Sequence, residues 1–207
     1  MRRWRQSGFT LVELMVTLAV LVILAMLAIP SYSDFFVKSR LRGATDDVVS
    51  LLNASRINSV KLQRQINVSE KGTGTGTAWC VGAVAEAGPT NAGDALALGN
   101  ATCNCSASTV SCLVDSQTAL VSSSNYSGVS MTAASSDIAY ASATSGGVTF
   151  NPKVGAVTDS SGNLLATTPS LTLVSGRYST QITVSPLGQV IVCVPSTSTF
   201  VPGYPSC

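Results

Sequence analysis

The chain opens with one long apolar stretch. From Phe9 to Ile29 every residue is apolar, small or threonine, except Glu13. At about 1.5 Å per residue, a helix over this stretch reaches roughly 31 Å, which matches the hydrocarbon core of a bilayer. A carboxylate in such a stretch is costly, so Glu13 is expected to have a functional role with a positively charged partner.

A second helical pattern follows Pro30. Apolar and small residues recur at steps of three and four, which predicts an amphipathic helix whose inner face consists of Leu41, Ala44, Val48, Leu51, Leu52 and Ser55. The charged residues from Arg40 to Arg64 supply the other side, which we interpret as a solvated face. Pro30 is expected to kink the helix, because proline removes a backbone hydrogen bond.

From Ala78 onward the pattern is typical of β-structure. Short runs of β-branched residues are separated by Gly, Pro, Asn and Ser. The segments TFNPKVGAVTD and ITVSPLGQVIVCV centre on Gly155 and Gly188, and each predicts a hairpin. The preceding segment KGTGTGT lacks the Gly-Lys-Ser/Thr of a phosphate-binding loop and is predicted to be a flexible connection. The predicted fold class is α+β, with a long N-terminal helix packed on a C-terminal antiparallel β-domain.

Composition narrows the possible chemistry. Charged residues make up 11% of the chain, and histidine is absent, which removes His-based triads and His metal ligands. Residues 72–207 carry two cationic and five acidic side chains, a net charge of −3. We interpret these scattered acids as surface charges: Glu86, Asp94, Asp115, Asp137 and Asp159. The sequence predicts no catalytic residue, no metal site and no cofactor, and hence no enzyme.

The N-terminus is basic, with Arg2, Arg3 and Arg5 ahead of the apolar run. A secretory signal peptide also starts in this way, but it closes with an Ala-x-Ala site, and residues 1–60 contain none. The positive-inside tendency keeps the arginines in the cytoplasm and predicts export of the residues after Pro30. A plain structural role for Glu13 is also open, because Thr10 lies three residues before it, as in a helix capping box.

The segment GFTLVELMVTLAVLVILAMLAIP, residues 8–30, closely resembles the type III signal of type IV pilins and type II secretion pseudopilins. This resemblance implies that prepilin peptidase cuts between Gly8 and Phe9 and methylates the new amino terminus of Phe9. Glu13 would neutralise the Phe9 amine of an adjacent subunit during filament assembly. The implied organisation is a removed leader (1–8), a transmembrane and filament-core helix (9–30), an amphipathic helix on the head (31–64), a linker (65–77) and a periplasmic β-rich head (78–207).

The paired hairpin patterns resemble the C-terminal domain of GspH-type pseudopilins and FimT/FimU-type minor pilins. The expected function is that of a minor pilin that helps prime type IV pilus assembly at or near the tip. The alternatives are a GspH-like pseudopilin of the type II secretion system and a FimT-type minor pilin that binds DNA. Implied partners are prepilin peptidase, other minor and major pilin subunits, the inner-membrane assembly platform and, before assembly, lipid. The implied location is the inner membrane, single-pass with a periplasmic C-terminal domain, and then the filament.

The DNA-binding alternative has a specific sequence requirement. In FimT-type pilins the DNA contact uses a Gly-Arg-x-Arg motif near the C-terminal hairpin, and the matching positions here, Gly188 to Ile191, read GQVI. Arg177 supplies one arginine in an earlier turn. A head with Lys153 and Arg177 as its two cations fits phosphate neutralisation poorly, so the sequence does not favour DNA as a partner.

The cysteines all lie in the part predicted to be exported: Cys80, Cys103, Cys105, Cys112, Cys193 and Cys207. An even number in an oxidising compartment predicts disulfides. The cluster CNCSASTVSC also suggests a thiolate metal site, but it lacks the pair spacing and His partners of zinc sites. We favour Cys193 with Cys207, and Cys80 with one of Cys103, Cys105 or Cys112. The terminal loop resembles the disulfide-bounded C-terminal region of pilins, which faces a neighbouring subunit or a partner.

Overall fold

Helix α1, Leu11–Leu62, is the first element of the chain. The computed structural model describes residues 9–72, 78–85, 103, 112–133, 147–158, 163–166 and 168–207, with backbone alone at 27–31, 71–72 and 133. The chain divides into two compact units, Met1–Phe36 and Val37–Cys207.

In the first unit, α1 is apolar on all sides. The described large side chains from Leu11 to Met26 are exposed. Farther along, Tyr32, Phe35 and Phe36 form a small exposed cluster, with Phe36 5.1 Å from Tyr32 and 6.0 Å from Phe35 between ring centroids. A helix that is apolar all round is normally covered by protein or lipid, so this segment requires an apolar environment.

In the second unit, α1 buries one face. The six residues of the predicted inner face, from Leu41 to Ser55, are all buried, which confirms the amphipathic pattern. The helix ends at Leu62, slightly before the predicted end at residue 64. Gln63 takes a left-handed conformation (φ 53°), and its side-chain amide donates a hydrogen bond to the Val60 carbonyl at 2.6 Å. This local bond occupies one of the last helical carbonyls and stops the helix.

Antiparallel strands build the rest of the second unit. Within the described ranges they are β1 Ile66–Gly72, β2 Trp79–Ala85, β3 Leu113–Val114, β4 Gln117–Thr118, β5 Leu120–Ser122, β6 Ser130–Ala133, β7 Gly147–Phe150, β8 Val157–Thr158, β9 Ser170–Ser175, β10 Tyr178–Val184 and β11 Val190–Cys193. One sheet has the order β5-β2-β1-β7-β8, a second has β11-β10-β9-β6, and β3 pairs with β4. The predicted α+β class is confirmed.

Both predicted hairpins are present. Strand β7 pairs with β8, and β10 pairs with β11. The connecting turns contain Gly155 (φ 63°) and Gly188 (φ 79°). Glycine adopts this left-handed conformation without the steric cost of a side chain, which is why the glycine-centred pattern predicted the turns correctly.

The predicted linker over residues 65–77 is wrong for its first part. Residues 66–72 form β1, the central strand of the larger sheet, with β2 and β7 on either side. Ile66 and Val68 are buried on one face, while Asn67 and Ser69 are buried on the other. Asn67 accepts a hydrogen bond from the Thr149 hydroxyl at 2.8 Å. A strand whose second face buries polar side chains lacks the apolar run by which a central strand is usually recognised.

One cluster of buried side chains joins α1 to both larger sheets. Its largest fully buried members from the sheets include Phe150, Met131, Leu173, Ile182 and Tyr178. A polar contact lies within this core, where the hydroxyl groups of Thr45 and Thr180 are 2.7 Å apart. The Thr45 hydroxyl donates to the Leu41 carbonyl at 2.8 Å and accepts from Thr180, so both buried hydroxyls have a partner and avoid the penalty of an unpaired polar group.

Two cysteines of the predicted cluster bond to each other. Cys103 is joined to Cys112, with Cα atoms 4.8 Å apart. The bridge lies directly against Gly82 of β2, where a side chain would collide with both sulfur atoms. Cys80 is disulfide-bonded as well. Since Cys103 and Cys112 are paired, Cys105 is the one partner left from the three proposed for Cys80, and it lies outside the described residues.

Candidate processing and assembly site

Thr10 caps the first turn of α1. Its Oγ1 accepts a hydrogen bond from the backbone N–H of Glu13 at 3.3 Å, and its carbonyl accepts one from the N–H of Leu14 at 3.2 Å. This is the threonine half of a capping box. The cap therefore uses the backbone of Glu13 and leaves its carboxylate available for another group.

The carboxylate of Glu13 has no hydrogen-bond or ion-pair partner among the residues that the structure describes. Its neighbours Leu11, Val12 and Leu14 are 74%, 68% and 57% exposed. A lone acid on an otherwise apolar helix becomes expensive when the helix enters an apolar environment, unless a positive charge compensates it. Glu13 therefore needs a compensating positive charge wherever this part of the helix is surrounded by apolar groups.

Phe9 lies just ahead of the helix and is 81% exposed. The predicted cut would make its amine the chain terminus, four residues from Glu13. Gly8 lies outside the described residues, so the cut itself stays a prediction. Pro30 lies within α1, and the predicted kink also stays a prediction. Among the described residues, no helix meets the length and apolarity required to cross a membrane.

The second unit has a separate feature, the C-terminal loop. Cys193 is bonded to Cys207, the pairing that the sequence favours, with Cα atoms 5.0 Å apart. Inside the loop, the N–H of Val194 donates to the Pro205 carbonyl at 2.8 Å, and the N–H of Cys207 donates to the Val194 carbonyl at 3.0 Å. The disulfide and these two bonds hold the chain end along β11.

Side chains of α1 form hydrogen bonds and a cation–π contact with the same loop. Arg42 donates to the Pro202 carbonyl, and its guanidinium lies 5.8 Å from the ring centre of Tyr204. The Tyr204 hydroxyl donates to Asp46 at 2.6 Å. Burial and the adjacent Asp46 carboxylate raise the pKa of Tyr204, so the hydroxyl keeps its proton and continues to donate.

A second tyrosine contacts α1 in the same way. The Tyr126 hydroxyl donates to Asp47, and burial together with this carboxylate raises the pKa of Tyr126 to about 12. The Tyr126 ring stacks on Trp79 at 6.4 Å, and the Trp79 indole N–H donates to the Val129 carbonyl at 2.9 Å. The sequence does not predict the roles of Asp46 and Asp47, because their partners lie far away in the chain and no local pattern marks them.

The candidate DNA-binding positions are separated in the fold. Gly188 lies in the β10–β11 turn, where its backbone lies close to Gly155 in the turn that carries Lys153. Arg177 lies in the β9–β10 turn, at the opposite end of β10. A seven-residue strand spans roughly 23 Å. Lys153 and Arg177 therefore do not form one phosphate-binding surface.

The described residues also offer little for metal binding. No group of three His, Cys, Asp or Glu side chains within the described ranges is placed to hold a metal ion.

Comparison with known proteins concerns the N-terminal segment. The model of the prokaryotic N-terminal methylation motif matches residues 5–29. A fimbrial protein of Pseudomonas aeruginosa is 42% identical over 50 residues, which is 24% of this chain and 32% of that protein. Type II secretion system core protein G of Aeromonas hydrophila is 44% identical over 54 residues, 26% of this chain and 38% of that protein. No solved structure matches the chain.

This N-terminal segment therefore carries the methylation motif of type IV pilins and is homologous to a fimbrial protein and a type II secretion protein, which supports the pilin and pseudopilin family. The matched region spans about a third of the length of these two relatives.

Proposed function

We propose that the protein is a minor pilin that helps prime assembly of a type IV pilus at or near its tip. The observation that carries this proposal is the carboxylate of Glu13, which lies inside the methylation motif, on an exposed apolar helix, without a partner among the described residues. In this role the protein is a structural subunit rather than an enzyme.

The N-terminal segment supplies processing and anchoring. Prepilin peptidase cuts between Gly8 and Phe9 and methylates Phe9, and residues 9–30 hold the subunit in the inner membrane as a single-pass anchor before assembly. The second unit lies in the periplasm. The apolar surface of the first unit supports this role, because it requires lipid or other filament helices around it. The assembly partners are the inner-membrane platform and other minor and major pilin subunits.

Glu13 supplies the pairing that drives assembly. The amine of Phe9 in an adjacent subunit compensates the Glu13 carboxylate, and the pair gains strength because little water competes for either group in the apolar filament core.

Processing can be tested at the cut. In the host cell, Gly8→Leu is expected to leave full-length precursor in the inner membrane, because the peptidase must fit its substrate backbone closely at this position. The unsubstituted chain should begin with methylated Phe9 by mass spectrometry. A mature chain that starts at any other residue would contradict the proposal.

Assembly can be tested at Glu13. Glu13→Ala keeps the capping bond, which uses the backbone N–H, so we expect normal cleavage and reduced incorporation into filaments. Thr10→Val is the matched control, because it removes the cap and keeps the carboxylate. If Thr10→Val reduces incorporation as strongly as Glu13→Ala does, or if Glu13→Ala incorporates normally, the charge-pairing role is wrong.

A GspH-like pseudopilin of the type II secretion system is the second candidate. The similarity to a type II secretion core protein favours it. Deleting the gene distinguishes the two functions. Loss of pili with normal protein secretion supports the minor pilin, whereas normal pili with loss of protein secretion supports the pseudopilin.

A further inference from the structure

Exposed aliphatic side chains lie at the C-terminal end of α1 and in the two turns that pack against it. Ile57 and Val60 on the helix are 65% and 41% exposed, while Val154 in the β7–β8 turn and Leu187 in the β10–β11 turn are each 65% exposed. We use the name turn–helix surface for these four residues together with the cations of the same elements, which are Arg56, Lys61, Arg64 and Lys153. Soluble domains seldom leave several large aliphatic residues exposed together, and such a group marks an interaction site.

The two turns are held in place against the helix. The Arg56 Nε donates to the Gly155 carbonyl at 3.1 Å, and the N–H of Val157 donates to the Pro186 carbonyl at 2.9 Å. Gly188 packs against Arg56 and Gly155 so closely that a side chain there would collide with them. The surface is therefore preformed, with an open groove of about 440 Å³ between the helix and the β7–β8 turn.

The charge on this surface has one sign. Its elements come from the described residues 48–69, 147–158 and 168–207. These residues include no Asp or Glu, whereas Arg56, Lys61, Arg64 and Lys153 lie in the first two segments. A complementary partner therefore presents acidic groups beside apolar side chains.

We propose that the turn–helix surface docks an acidic, partly apolar face of another subunit in the same filament. This inference rests on the proposed function. Nucleic acid would use the cations but would leave the four aliphatic side chains uncovered, since bases stack on aromatic residues and this surface has none. A protein face with both acidic and apolar groups satisfies the whole surface.

Photo-cross-linking of the full-length chain in host cells tests whether the turn–helix surface contacts another subunit. A benzophenone amino acid at Val154 should form a product with a second chain that carries the N-terminal methylation motif, at a peptide containing Asp or Glu. The same probe at Leu113, which is 46% exposed in β3, is the control and should not form this product. A product with nucleic acid or lipid, or the same product from Leu113, would overturn the proposal.

Reversal of the charge at Lys153 tests the electrostatic contribution to the proposed contact. With the probe at Leu187, Lys153→Glu should lower the product about three- to tenfold, which is the range for losing and then reversing one exposed ion pair. Lys153→Arg should keep the yield. An unchanged yield in Lys153→Glu, or absence of any product while the chain is methylated at Phe9 and present in filaments, would overturn the docking surface and leave the proposed function standing. A chain that is neither methylated nor incorporated would overturn both.

Discussion

Glu70 makes the stability of the second unit depend on pH. It is a half-buried carboxyl on β1 that lines a cavity of about 30 Å³, whose other walls are mostly aliphatic and include Leu52, Val81, Leu171 and Ile182. Burial disfavours the charged carboxylate and raises the pKa of Glu70 from 4.5 to about 7. The folded protein therefore binds a proton that the unfolded chain releases between these two values.

The sign and size of the effect follow from proton linkage. Because the folded state binds more protons between pH 4.5 and 7, the free energy of unfolding falls as pH rises through this range and levels off above it. Each pKa unit corresponds to about 1.4 kcal/mol, so the ceiling is a few kcal/mol. Partial hydration of the half-buried group reduces this to roughly 1–3 kcal/mol.

The test is the variant Glu70→Gln, compared with the unsubstituted chain at pH 5 and pH 8. Cleavage before Phe9 removes Trp4 and leaves Trp79, which is buried, as the one tryptophan of the chain. Its fluorescence therefore reports unfolding by urea, measured in mild detergent with the disulfides intact. The unsubstituted chain should lose roughly 1–3 kcal/mol between the two pH values, and Glu70→Gln should lose far less. Asp115→Asn removes an exposed carboxyl and is the control. Equal losses in the unsubstituted chain and Glu70→Gln would refute the reasoning.

Three further predictions concern the C-terminal disulfide, the Tyr204 hydroxyl and DNA binding. Replacing Cys193 and Cys207 together by Ser should lower the free energy of unfolding by about 3 kcal/mol, the value for closing a loop of this length; an unchanged urea midpoint would contradict it. Tyr204→Phe removes the bond to the helix and should cost about 0.5–1.5 kcal/mol in the same titration, whereas no loss would mean that the bond contributes nothing. The unsubstituted chain should bind duplex DNA no more tightly than about 10⁻⁴ M at physiological salt. Adding Gln189→Arg with Ile191→Arg should strengthen binding in an anisotropy titration, and low-micromolar binding without these changes would favour DNA uptake.

Several features of this protein were determined by the sequence because their causes are local. The apolar run around Glu13 and the methylation motif lie within residues 5–29, and the buried face of α1 follows from the helical repeat. The turns at Gly155 and Gly188 need a left-handed backbone, which glycine supplies without help from the rest of the fold. Each of these signals is complete within a few residues, so it can be recognised without the tertiary structure.

Other features were decided by the tertiary structure because they depend on residues far apart in the chain. The central strand β1 has only two buried apolar residues on its core face, and pairing with β2 and β7 is what makes it a strand. The pairing of Cys103 with Cys112 is made where both sulfur atoms lie against Gly82 of β2. The contact of Asp46 with Tyr204 and the approach of Gly155 and Gly188 to Arg56 likewise arise from packing. Packing brings such residues together through the shape of the core, which a local sequence pattern does not record.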